Sequence, residues 1–262
     1  MSDQPVIAER AGSTLRVTLN RPERRNALDL PAWGALRDTL RATSDDPSIR
    51  VVVISGAGTG FCTGMDLGAP TGKHPAEWMR FIGEVAQALH DLPQPVITVV
   101  NGIAAGAGAN LAIAGDFVVA SSAARFSEIF TARGLSIDFG GSWLLPRLVG
   151  PLQAKRLALL GDIIGADEAA SLGLVTWVKE PEEIDGFVDA LAQRIAAMPP
   201  KALSETKRLL NQALAQDLRQ ALENEARAQV INLATTDSAT AIAAFVNKEP
   251  TPEYTGKWGL TL

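Results

Sequence analysis

The 262-residue chain holds one cysteine, Cys62, and two histidines, His74 and His90. A single thiol excludes an internal disulfide framework and suits a reducing compartment. Nothing near Cys62 in sequence would depress its pKa, so it reads as a buried thiol rather than a nucleophile. The histidines fall in a loop and at a helix end, and no CxxC or HExxH spacing occurs, which argues against a metal site. The chain has no GxSxG turn: the corresponding stretch carries Ala105, Ala107 and Ala109, so a serine hydrolase is unsupported. The net charge of −5 and the absence of an arginine- and aromatic-rich stripe argue against a nucleic-acid groove. Apolar runs stop well short of the ~20 residues a membrane helix needs. The start, MSDQPVIAER, shows neither an apolar signal region nor Arg-rich transit character, and a cytoplasmic location is expected.

What is present is an ordinary globular composition, 47% hydrophobic and 20% charged, long enough for a substantial core. Val6–Arg10 and Leu15–Leu19 read as a hairpin around Gly12-Ser13. Leu28–Ala42 has helical spacing, with Asp29 as its N-cap. Val51–Ser55 and Val96–Val100 are buried strands, separated by the glycine-rich loop Gly56–Asp66 and an amphipathic helix over Ala76–Leu92. Helix Ala109–Ala114 and strand Phe117–Ala120 follow. Strands apolar on both faces, alternating with helices, predict a layered α/β core with parallel sheets. After Leu145 the chain turns helical, over Gln153–Leu160, Asp167–Ser171, Pro181–Ala197, Lys201–Ala215 and Asp217–Ala234, with one short strand near Leu174–Val178. Met198-Pro199-Pro200 is the hinge, dividing a body of residues 1–198 from a helical segment of residues 199–262.

Three segments carry the chemistry. Asn101–Asp116 runs from a strand through Gly106-Ala107-Gly108 into a helix start, where backbone N–H groups have no partner inside the helix. A dinucleotide reading fails because the third small position is Leu111. Gly60–Leu67 is a second small-residue loop after a parallel strand, and the two loops share the sheet edge where α/β proteins place ligands. Each then offers one N–H to the same oxygen. Gly134–Arg147 sets Asp138 among apolar residues ahead of Gly140-Gly141. Asp138 is either the N-cap of the helix that this pair opens or a carboxylate held near a ligand with a raised pKa.

These segments, with Asn20-Arg21-Pro22, Asn26-Ala27-Leu28, Gly161-Asp162 through Gly173-Leu174-Val175, and Tyr254-Thr255-Gly256-Lys257, resemble the crotonase (enoyl-CoA hydratase/isomerase) superfamily over nearly the whole chain. The resemblance implies an α/β spiral of β-β-α turns with a C-terminal helical trimerisation domain, assembled as a homotrimer or a hexamer of two trimers. It implies an acyl-CoA thioester substrate and no separate cofactor, coenzyme A being part of the substrate. Carried over by motif, the oxyanion hole is the backbone N–H of Met65 and of Ala107, flanked by Thr63, Asp66 and Leu67 on one loop and by Ala27. The two glutamates of the hydratase branch have Asn110 and Phe130 as counterparts, and neither can be a general base. Glu128 stands on the Phe130 face if that segment is extended, and is the alternative base for a hydratase.

Asp138 stands where isomerase branches of the superfamily carry an acid. The nearest likeness is the branch that isomerises an epoxide of phenylacetyl-CoA. The resemblance therefore implies an enoyl-CoA isomerase with Asp138 as its single acid/base, and Phe130, Leu135 and Trp143 lining an apolar acyl pocket. Arg24, Arg25, and Lys248 or Lys257 are the cations available for the CoA phosphates, the lysines in their own subunit or across an interface. A hydratase, or a member that binds acyl-CoA without catalysis, are the competing readings.

Overall fold

The computed structural model describes residues 4–259, so the last three residues of the 199–262 segment lie outside the described residues. Strands β1 (Val6–Ala11) and β2 (Thr14–Leu19) form the expected hairpin, in register from Val6 opposite Leu19 to Ala11 opposite Thr14. Helix α1 (Leu30–Ser44) starts where Asp29 accepts the Ala32 N–H at 2.9 Å, with Pro31 in the first turn, where a missing N–H costs nothing. Strand β3 (Val51–Gly56), with four consecutive buried residues, runs parallel to β2. The chain then forms β4 (Gly60–Cys62) inside the segment expected to be loop, and α2 (Pro75–His90), capped by His74 Nδ1 on the Ala76 N–H.

The same sequence of moves repeats. Strand β5 (Val96–Val100) lies beside β3; β6 (Ile103–Ala105) lies beside β4; α3 (Ala107–Ile113) follows. Then β7 (Phe117–Ser121) adds to β5 and β8 (Arg125–Ser127) to β6, and α4 (Gly141–Leu160) follows. Each turn thus places one strand in a first sheet, one in a second, and a helix outside, which is a spiral of β-β-α units. Strand β9 (Ile164–Gly165), α5 (Ala166–Ser171) and β10 (Trp177–Lys179) close the two sheets, whose orders are β1-β2-β3-β5-β7-β10 and β4-β6-β8-β9. The main core lies between the first sheet and α1–α4, built on Leu19, Leu36, Ile54, Phe61 and Leu111. A second cluster lies on the sheet's other face, where α6 (Ile184–Ala196) sets Val188 and Ile195 against Val53, Ile97 and Val119.

Helix α4 is longer than its sequence pattern suggests and is broken at Gly150 (φ 73°, ψ 163°), next to Pro151. Beyond Pro199, α7 (Pro200–Gln212) is tied to the body by Lys207, which donates to Asp116 (2.7 Å) and to the Gln94 carbonyl. Helices α8 (Leu218–Leu233) and α9 (Thr236–Asn247) follow, the latter not expected from the sequence. Buried Asp237 accepts the N–H groups of Thr255 and Gly256, fixing the last described segment. No described helix is long and apolar enough to cross a membrane.

Candidate active site

Strands β3 and β5 are parallel neighbours, so the loops leaving their C-terminal ends meet. They meet backbone to backbone. A Cβ on Gly108 would stand 2.1 Å from the Cys62 carbonyl oxygen, and one on Gly64 3.1 Å from the Ala107 nitrogen. Met65 forms a parallel bridge with Leu28, in which the Leu28 N–H bonds the Gly64 carbonyl and the Asp66 N–H bonds the Leu28 carbonyl. That pattern uses the groups on either side of Met65 and turns its own N–H the other way. Ala107 is the first residue of α3, so its N–H has no intrahelical acceptor. The Met65 and Ala107 N–H groups therefore sit on two loops in close backbone contact, an arrangement able to stabilise an oxyanion.

One helical turn along α3, ~4.5 Å from Ala107, Asn110 is fully buried. Its Nδ2 donates to the Asp138 carbonyl at 3.0 Å and to Glu128 Oε2 at 3.4 Å. The Asp138 side chain caps nothing: α4 begins after Gly140 with no side-chain cap, and Asp138 Oδ1 is buried without a partner. Burial raises its pKa to about 6, and that of Glu128 to about 8. The residue after Asp138 is Phe139, buried against Trp33 (ring centroids 5.1 Å) at φ 50°. A bulky residue in that region costs on the order of 1–3 kcal/mol, so the packing that holds Phe139 also fixes the peptide carrying Asp138.

Of the other expected site residues, several gather at the mouth. Arg24 and Arg25 are exposed, with the Thr63 hydroxyl at 3.5 and 3.4 Å from their carbonyls; Ala27 adjoins them and Leu67 is 65% exposed on the rim. Phe130 is buried against Gly106, behind the oxyanion turn, and half-exposed Leu135 closes that corner through its N–H to the Phe130 carbonyl. Asp66 is used internally: it pairs with Arg21 at 3.1 Å and accepts the Gly68 N–H.

One expectation is corrected. Trp143 does not join the acyl pocket. Gly141 is the α4 residue that faces the site, pressed so closely on the Asn110 amide that a Cβ would sit 2.3 Å from it. Two residues on, at ~200° around the helix, Trp143 packs edge-on against His90 and under Arg147, lining a separate cavity of about 720 Å³. Lys257, whose service to its own or a neighbouring subunit the sequence left open, lies away from the site of its own chain. Its neighbour Tyr254 accepts from Arg50, which precedes β3, whereas the site lies past the opposite end of that strand. The segment after β8 is not extended either, since Phe130 is helical in φ and ψ, so Glu128 reaches Asn110 through a turn rather than by strand alternation.

The enoyl-CoA hydratase/isomerase family profile matches residues 9–257. The chain is 38% identical over 250 residues to the 1,2-epoxyphenylacetyl-CoA isomerase of Escherichia coli K12, covering 93% of this chain and 95% of that one. The chain belongs to the enoyl-CoA hydratase/isomerase family. It is also 34% identical to the crotonyl-CoA hydratase of Syntrophomonas wolfei, over 95% and 97% of the two chains. Among solved structures it resembles an enoyl-CoA hydratase from Polaromonas sp. JS666, with TM-score 0.88, 37% identity, and 95% and 99% coverage.

Within this family fold, two residues of the N-terminal motifs have a structural role that the sequence did not show. Arg21 bridges Asp29 and Asp66 and donates to the Ala27 carbonyl, joining the first motif to the oxyanion loop. Asn26, fully buried, accepts from the Arg21 N–H and donates to the carbonyls of Ala57 and Gly60. Their closeness to Pro22 in sequence was the available signal. Cys62 is buried, its thiol pushed up to about 12 by desolvation and its Sγ donating to the Asn26 carbonyl.

Proposed function

We propose that this member of the family is an enoyl-CoA isomerase. The observation that carries the reading is the half-buried Asp138, whose Oδ1 is buried without a hydrogen-bond partner, set beside the helix that supplies an oxyanion N–H. The acyl-CoA thioester oxygen binds the N–H groups of Met65 and Ala107. Asp138 takes a proton from C2 of a 3-enoyl chain, and the electron pair of that bond moves onto the thioester oxygen as an enolate. The enolate collapses through C2, the C3–C4 π pair takes the same proton back at C4, and the product is the 2-enoyl thioester. One base performs both transfers, and no water enters the balance. Phe130 and Leu135 form the apolar side of the acyl site, and Arg24 and Arg25 meet the CoA phosphates at the mouth. Lys257 serves such a phosphate only from a neighbouring subunit, given its place at the far end of β3.

A hydratase reading draws support from relatives of that name, including the crotonyl-CoA hydratase above. It requires a group to activate water, and Asn110 and Phe130 cannot. Glu128 is the buried carboxyl at this site, but with a pKa of about 8 it holds its proton at neutral pH. The test compares two rates on purified protein, double-bond shift in a 3-enoyl-CoA and water addition to crotonyl-CoA. Isomerisation is expected to exceed hydration by about a hundredfold or more, the worth of one catalytic group. Hydration at an efficient enzyme's rate would overturn the reading, and acyl-CoA binding without either turnover would mark a non-catalytic member.

A further inference from the structure

The mechanism above leaves the buried carboxyl beside Asn110 unused. Glu128 is 5% exposed and stands just past β8, with its Oε2 on the Asn110 amide. Around it lie Ala109, Ile113, Phe126, Leu145, Leu157 and Ile164. The titratable groups facing it are Asp138, from the loop before α4, and exposed Asp162, from the segment after that helix. No lysine, arginine or histidine lines this wall among the described residues. Two carboxyls sharing an apolar wall without a cation do not both carry charge cheaply.

We propose that Glu128 is a positioning residue for Asp138, acting through the Asn110 amide as an uncharged acid. This rests on the reading of Asp138 as the base. One Asn110 N–H goes to Glu128 and the other to the Asp138 carbonyl, so the amide ties the peptide carrying the base to α3. A neutral carboxyl is a modest acceptor and leaves the shorter bond, to Asp138, intact. A carboxylate at the same place draws the amide more strongly and repels the Asp138 charge. Burial, opposed by the Asn110 bond and reinforced by the Asp138 charge, sets Glu128 at about 8, so neutral pH lies on the side where the arrangement holds.

Glu128→Gln keeps the size, the neutrality and an acceptor for Asn110. Its kcat at neutral pH is expected to stay close to wild type, while Glu128→Ala loses on the order of tenfold to a hundredfold in kcat with KM little changed. The discriminating readout is pH. Wild-type kcat falls as pH rises past about 8, and Glu128→Gln lacks that fall. An alkaline limb unchanged in Glu128→Gln, or an Ala variant as active as wild type, would overturn the proposal.

An infrared or NMR titration of the Glu128 carboxyl, without substrate, gives a readout independent of turnover. Glu128 is expected to be protonated at neutral pH, with its titration moving down in Asp138→Asn. An unmoved titration with isomerase turnover intact would overturn the positioning proposal alone. A shifted titration in a protein that isomerises no 3-enoyl-CoA would overturn the Asp138 reading instead.

Discussion

At the scale of single residues the candidate site holds two acids whose environments set different pKa values. Asp138 works as a base only when ionised, and burial sets its pKa at about 6. Isomerase kcat is therefore expected to rise with pH through about 6 and level above it, a limb that a pH–rate profile resolves. Glu128 carries the complementary stability signature. Its folded-state pKa of about 8 lies above the ordinary 4.5, so across that interval the folded chain binds more protons than the unfolded one. Stability then falls as pH rises, and above about 8 the full cost is present. Glu128→Gln is expected to melt higher than wild type on the alkaline side and to lose that advantage in acid. Thermal melts across pH check this, and equal melting on the alkaline side would contradict it. Asp138 was legible in the sequence because an acid among apolar residues ahead of Gly140-Gly141 is locally unusual. The positive φ of Phe139 was not, since it comes from packing on Trp33, a partner more than a hundred residues away in sequence.

At the scale of elements the account depends on two loops approaching until their backbones touch. Gly108→Ala puts a methyl 2.1 Å from the Cys62 carbonyl, a backbone atom that cannot swing aside. Overpacking of this kind costs about 1–3 kcal/mol, and the loops can relieve it only by separating the Met65 and Ala107 donors. Lower melting temperature and loss of isomerase activity together are expected, whereas Gly83→Ala, exposed in α2 with nothing within 4 Å, leaves both intact or melts slightly higher. Long elements with uniform patterns, such as β3, β5 and α2, were readable because burial on both faces or on one stripe is written in residue type. The short strands β4, β6, β8 and β9 were not, because two or three residues of pairing leave no period to detect. Trp143 was misplaced for a related reason: the glycine at 141 fixes which face of α4 meets Asn110, and that contact is tertiary.

At the scale of the molecule, α7, α8 and the turn between them leave Leu210, Leu214, Leu218, Leu222 and Leu233 more than half exposed on a single chain, and α9 leaves Phe245 so. Apolar residues in that number on neighbouring helices need a partner surface. Light scattering is expected to give about three or six times the 27.7 kDa of one chain, and a clean monomer would contradict this. The two-sheet spiral and the helical segment beyond Pro199 were legible from segment order and family resemblance together. The exposed apolar faces were legible only as leucines in excess of the core's need. The central claim is that Asp138 moves the proton, and Asp138→Asn tests it most directly. Asn keeps the volume, and the wild-type side chain holds no cap to lose, so the melting temperature is expected to change little and acyl-CoA to bind as before. Double-bond shift in a 3-enoyl-CoA is expected to fall by roughly a hundredfold or more; full isomerase activity in Asp138→Asn would contradict the account.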